Sequence, residues 1–213
     1  MKNTPKIDTI DPQHPQADLI DTAVRILERG GVIAFPTGSL YGLGADALNS
    51  GAVERVFTIK ERSSDKPLLI LVPDRQLVFN LAAEVPAAAS RLMDRFWPGQ
   101  VTIVLKALPG LPSNLTAGTG RIGIRLPGHP VARALVAAFG RPVTGTSANL
   151  AGRGGCHRID EIDPQLIQQL DLVIDAGQLK EGIGSTVVDV TGAEPIVIRE
   201  GVVSRRAILA AVG

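Results

Sequence analysis

Aromatic side chains are nearly missing from this 213-residue chain: Phe, Trp and Tyr together make up 3% of it. That scarcity argues against a surface on which several bases of single-stranded nucleic acid stack in turn. Cysteine occurs once, at Cys156, and methionine twice. One thiol excludes an intramolecular disulfide framework and a thiolate cluster for structural zinc, and it fits a reducing cytoplasm. No uninterrupted apolar run approaches the roughly 18 residues a membrane-spanning helix needs. The first fifteen residues are polar, with prolines at 5, 12 and 15, so they do not form the apolar core of a secretory signal. Charge of one sign is missing as well. Lys and Arg total 22 against 21 for Asp and Glu, so any anionic ligand must be met by a local patch and not by a polybasic tail. His14, His129 and His157 lack the i, i+4 spacing of metal ligands, so no metal site is expected, and His129 between Gly128 and Pro130 reads as a turn residue. A Walker motif, a dinucleotide-binding glycine fingerprint and an internal repeat are all absent.

What remains is an ordinary globular composition, 45% hydrophobic and 20% charged, of a length that suits one domain across residues 1–213. Leu19, Ile20, Ala23, Val24 and Leu27 predict a helix over 17–31 that stops at Gly30-Gly31. Further helices are expected over 51–60, 85–96, 130–139 and 162–170, with a terminal helix capped by Ser204. Short apolar runs predict strands over 32–35, 68–72, 101–106, 122–126, 142–146, 172–175, 186–190 and 196–199. Interleaved helices and strands make the class α/β or α+β with a mixed sheet.

Three polar loops are the places to look for chemistry, because ligands of open α/β sheets bind outside strand ends. In the segment 36–44, read as a loop, Thr37, Ser39 and Tyr41 supply hydroxyls among three glycines; such a turn can also merely satisfy its own backbone. Lys60, Arg62 and Lys66 place three cations around a helix end, where they could meet a polyphosphate or simply answer the helix dipole. Ser147 and Asn149, two residues apart on an extended segment after Thr144-Gly145-Thr146, point to the same side; both are equally ordinary turn and cap residues. Cys156 beside His157 lacks a third partner for nucleophilic catalysis.

Taken together, Pro36-Thr37 with Tyr41-Gly42-Leu43-Gly44, Lys60-x-Arg62, Phe96-Trp97-Pro98-Gly99, Arg125-x-Pro127 with His129-Pro130, Ser147-x-Asn149 and Ser185-Thr186-Val187-Val188-Asp189 resemble one family. It is the YrdC/Sua5/YciO family of threonylcarbamoyl-adenylate synthases, and the resemblance implies the single-domain form, without the extra C-terminal domain of longer Sua5 proteins. The resemblance runs over about residues 17–203, with the motifs in the right order.

The resemblance implies an open, twisted mixed sheet with surrounding helices and a large concave basic cavity. It implies a cytoplasmic nucleotidyltransferase that joins L-threonine, bicarbonate and ATP into threonylcarbamoyl-AMP and pyrophosphate for t6A modification of tRNA. Mg2+ would be carried in with the nucleotide, separate transferase proteins would act downstream, and no membrane is involved. Residue by residue, it implies Lys60, Arg62, Ser147 and Asn149 as catalytic. Lys60, Arg62, Lys66, Ser147, Asn149, Gly155 and Arg199 would contact the nucleotide, and Thr37, Ser39, Tyr41, Arg125, Gly145 and Ser185 the amino acid. Two positions depart from the family pattern: Gly38 stands where an acidic residue is usual, and Leu71 where a histidine often faces threonine. These keep open a divergent YciO-like enzyme that carbamoyl-adenylates another acceptor. A module that binds tRNA or double-stranded RNA through phosphates is a further alternative.

Overall fold

The computed structural model describes residues 5–180 and 182–213. In chain order the elements are β1 (Lys6–Thr9), α1 (Ala17–Glu28), β2 (Ile33–Pro36), β3 (Tyr41–Gly44), α2 (Ser50–Lys60), β4 (Leu69–Leu71), α3 (Ala87–Phe96), β5 (Val101–Lys106) and α4 (Ser113–Thr116). They continue with β6 (Arg121–Arg125), α5 (Pro130–Phe139), β7 (Val143–Thr144), β8 (Thr146–Ser147), α6 (Pro164–Ile167), β9 (Leu172–Asp175), β10 (Thr186–Asp189), β11 (Ile196–Arg199) and α7 (Arg205–Val212). The strands divide between two mixed sheets, one of order β1-β9-β2-β3-β8 and one of order β11-β10-β5-β6-β4-β7. The mixed α/β class is therefore as expected, with the strands apportioned to two sheets.

The amphipathic stripe of α1, Leu19, Ile20, Ala23, Ile26 and Leu27, is buried together with Val131, Leu135 and Val136 of α5 and with Ile33 and Phe35 of β2. Each such fully buried aliphatic side chain stabilises the fold by about 1.5–3 kcal/mol relative to leaving it in water. On the second sheet, Ile103 and Leu105 of β5, Ile122 and Ile124 of β6 and Val188 of β10 face a larger core, which also takes Leu92 of α3 and Ile208 of α7. Because side chains alternate across a strand, the residues between these apolar ones face the other way, and that second face is the floor of a cavity.

The junction between the sheets is a single extended run. Thr144 pairs with Ile70 in one sheet and Thr146 pairs with Leu43 in the other, so the chain changes sheets at Gly145. The Thr144 hydroxyl donates to Leu43 O and accepts from Ala45 N, both at 3.0 Å, which ties the two sheets at this point. A Cβ at Gly145 would lie 2.8 Å from Leu69 Cδ1 and from Leu71 Cγ, so only glycine lets the strand cross so close to β4.

Three expectations are corrected. The segment 36–44 is a hairpin and not one loop, because Tyr41–Gly44 pairs antiparallel with β2 and only 37–40 turns. The helix expected over 162–170 is a single turn, Pro164–Ile167; Ile162, Leu166 and Leu170 are all buried at helical spacing without a continuous helix to carry them. The polar start contains β1, a parallel edge strand on β9.

Candidate active site

The cavity has a volume of about 690 Å³, and its floor is the alternate face of the second sheet: Thr102 and Val104, Arg121, Gly123 and Arg125, then Val187 and Asp189. Gly123 keeps this floor low, since a Cβ there would sit 3.2 Å from Thr102 Cγ2. The hairpin turn supplies Thr37, Ser39 and Leu40 to one wall, and Gly145, Thr146 and Ser147 form another. Arg62 and Pro67 line it as well, as do Ser185 and Arg199. Four arginines thus face one aspartate, and Asp189 is already paired with Arg121 at 2.8 Å.

Arg125 is the most telling of the four. Its residue is 4% exposed, its Nε is buried without a hydrogen-bond partner, and no ion pair of its guanidinium occurs among the described residues. Burial, reinforced by the neighbouring Arg199 charge, pulls its pKa down to about 10. An anion placed against it would satisfy the orphaned donor and relieve both unfavourable effects. Ser185, itself buried, joins Arg199 to β5: its Oγ lies 2.9 Å from Thr102 Oγ1, and Arg199 Nη2 donates to Ser185 O at 2.8 Å. Ser39 Oγ donates to Gln100 Oε1 at 3.2 Å, and the ring of His157 lies 2.7 Å from Ser39 O, which fixes the turn from behind.

Arg62 reaches the cavity because of how α2 ends. Asn49 caps its start by accepting from Ala52 N at 3.1 Å. At the other end Glu61 adopts a left-handed conformation with φ 49°, while Arg62 N bonds back to Phe57 O at 3.0 Å. The chain turns there, and the Arg62 guanidinium donates to Lys66 O and Pro67 O, both at 3.1 Å, which holds it at the cavity edge.

Of the residues singled out from the sequence, the cavity brings together Thr37, Ser39, Arg62, Arg125, Gly145, Ser147, Ser185 and Arg199. The other five lie elsewhere. Lys60 is buried behind the wall, its ammonium donating to Ser147 O at 2.5 Å and Asn149 O at 2.6 Å. Asn149 also faces inward, donating through Nδ2 to Leu150 O and Arg153 O. Tyr41 points into the core, where its hydroxyl donates to Gly177 O at 2.7 Å and accepts from Ala176 N at 2.9 Å; burial raises its pKa. Lys66 is exposed outside the cavity lining, and Gly155 packs against Leu40 at the rim. Sequence reasoning missed Gln100, Thr102, Arg121 and Asp189. The available signal was a polar residue on the alternate face of an otherwise apolar strand, such as Thr102 in Val101–Lys106.

Among the described residues no group of three or more metal-ligating side chains occurs, and Asp189 is the one carboxylate on the cavity wall. The donor set suits anions and not a protein-built cation cage. No described helix is long and apolar enough to cross a membrane.

Comparison with known proteins gives a consistent result. The model of the Sua5/YciO/YrdC family, described as "Telomere recombination", matches residues 25–201. The threonylcarbamoyl-AMP synthase of Bacillus subtilis is 35% identical over 99% of this chain and 59% of its own length. The structure of Pyrococcus abyssi Sua5 complexed with L-threonine superposes with a TM-score of 0.92 at 32% identity, covering 97% of this chain and 61% of that one. Escherichia coli YciO superposes with a TM-score of 0.87 at 34% identity, covering 96% of this chain and 99% of its own. The chain therefore spans about three fifths of the first two relatives and nearly all of the third.

Proposed function

The chain belongs to the Sua5/YciO/YrdC family, and from that premise we propose that it is a threonylcarbamoyl-AMP synthase acting on L-threonine, bicarbonate and ATP. The observation that carries the reading is Arg125, a buried guanidinium with an unpartnered Nε at the floor of a cavity large enough for an amino acid and a nucleotide together. A free amino-acid carboxylate is the natural partner of such a group. Ser39, Ser185 and Thr37 surround the same pocket with hydroxyls, and Gly145 leaves room beside it.

The chemistry needs little acid–base machinery. The threonine amine adds carbon dioxide derived from bicarbonate, giving a carbamate. A carbamate oxygen then attacks the α-phosphorus of ATP and the bond to pyrophosphate breaks, leaving threonylcarbamoyl-AMP. Placing the two reactants in line and offsetting the phosphate charge account for most of the rate in such a step. Arg62 and Arg199 on the cavity wall, with Ser147 between the two sheets, are suited to the phosphates; Lys66, next along from Arg62, would join them as the nucleotide enters. Mg2+ arrives with ATP as part of the substrate. The product is a mixed anhydride, handed to separate transferase proteins for tRNA modification in the cytoplasm.

The test is pyrophosphate release from ATP with threonine and bicarbonate each present or omitted, followed by mass identification of the adenylate. Release that needs both and yields threonylcarbamoyl-AMP is expected. Release that needs a different amino acid would assign the enzyme to another acceptor, as Leu71 behind Gly145 and the missing side chain at Gly38 would allow. Salt-sensitive tRNA or double-stranded RNA binding without ATP turnover would replace the enzyme reading with an RNA-binding one.

A further inference from the structure

Lys60 is a buried lysine with no ion-pair partner among the described residues. Its ammonium sits between two backbone carbonyls, Ser147 O and Asn149 O, at 2.5 and 2.6 Å. Its own carbonyl accepts from Ala151 N at 2.9 Å, so the end of α2 grips the segment 147–151 from both sides of one residue. On the opposite side Ala148 N donates to Tyr41 O of β3 at 2.9 Å, and the Cys156 thiol donates to Ala148 O at 3.4 Å. Two carbonyl oxygens that converge on one point repel each other through their partial negative charges, and a cation between them removes that repulsion. Meanwhile four arginines already face the cavity, and Lys60 is absent from its lining.

We propose that Lys60 is a positioning residue that holds the Ser147–Asn149 segment against the cavity as a cationic clamp, and does not itself meet the nucleotide phosphates. The role for Ser147 rests on the synthase reading; the clamp does not. Burial and the nearby Arg62 charge lower the Lys60 pKa to about 8, opposed by Cys156, so the ammonium form still prevails at neutral pH.

The experiment compares the full-length parent, Lys60→Met and Arg62→Ala in two measurements. The first is amide hydrogen exchange of residues 147–151 without any ligand, where Lys60→Met should speed exchange about tenfold or more, as expected for loss of a charged hydrogen bond. The second is binding of inorganic triphosphate, which Lys60→Met, acting only through the loosened Ser147, should weaken by no more than about threefold while Arg62→Ala weakens it about tenfold. Unchanged exchange, or a triphosphate affinity that falls as far in Lys60→Met as in Arg62→Ala, would overturn the clamp. Should Lys60→Met fold poorly, Lys60→Gln retains N–H donors without the charge and is read against the same two outcomes. In the pyrophosphate assay Lys60→Met should lower kcat while the apparent KM for threonine stays put. A parent that releases no pyrophosphate counts against the synthase reading and leaves exchange and triphosphate binding to decide the clamp.

Discussion

Lys60 and Arg125 are both cations sealed inside the protein, at 2% and 4% exposure, and their surroundings are opposite. Lys60 has two close acceptors and stands behind a wall; Arg125 has an orphaned Nε and forms part of a floor. A buried charge that the fold has already satisfied serves the fold, whereas one left unsatisfied is held ready for something that is not part of the chain. Their substitutions should therefore move stability in opposite directions and function for different reasons.

The largest expected effect is at Arg125. Arg125→Met should abolish the response of pyrophosphate release to threonine, a loss of about 100-fold or more in kcat/KM for the amino acid. The same change removes a buried charge whose Nε has no partner, so chemical denaturation should find the variant as stable as the parent or more so. A variant that loses stability and keeps its threonine response would break the contrast. Next in size is Lys60→Met, which strips two buried carbonyls of their donor and should cost about 2–4 kcal/mol in the same denaturation experiment.

Arg125 and Lys60 also show how far the sequence could be read. Both stand in motifs of the family resemblance, which names them as site candidates without saying which side of a wall each occupies. That depends on chain direction at one point: Glu61 turns left-handed after α2, which leaves Lys60 inside and sends Arg62 out to the cavity. Tyr41 is placed by a different turn. It follows Thr37 and Ser39 in sequence, but the hairpin puts it in β3 with its ring in the core. Elements with strong local signals were legible, β5 and α5 to the residue. The strand β1 was not, because its alternation Lys6-Ile7-Asp8 carries charges paired with each other on an exposed edge.

Two smaller effects sharpen the contrast between groups the fold uses and groups it leaves free. His129 caps α5 by accepting from Val131 N at 3.3 Å, and burial holds its pKa below the ordinary imidazole value. Between that lowered value and about 6.5 the unfolded chain binds a proton that the folded chain does not, so stability should fall as pH drops through this interval and stay level above it. Equilibrium unfolding across pH 5–8 should show that slope in the parent and lose it in His129→Asn, which keeps a capping acceptor without the titration. Smallest is Glu61→Gly: with φ 49° at an exposed helix end, relief of the left-handed strain should raise stability by about 0.5–1 kcal/mol in a thermal melt and leave the cavity unaltered.

Calorimetric titration of L-threonine and of L-threoninamide, which lacks the carboxylate, asks whether the unpartnered Arg125 guanidinium receives the carboxylate of an amino acid. Threonine should bind the parent at least about tenfold more tightly than the amide, and Arg125→Met should erase the difference. Equal binding of the two by the parent, or a preference for threonine that survives in Arg125→Met, would contradict that pairing.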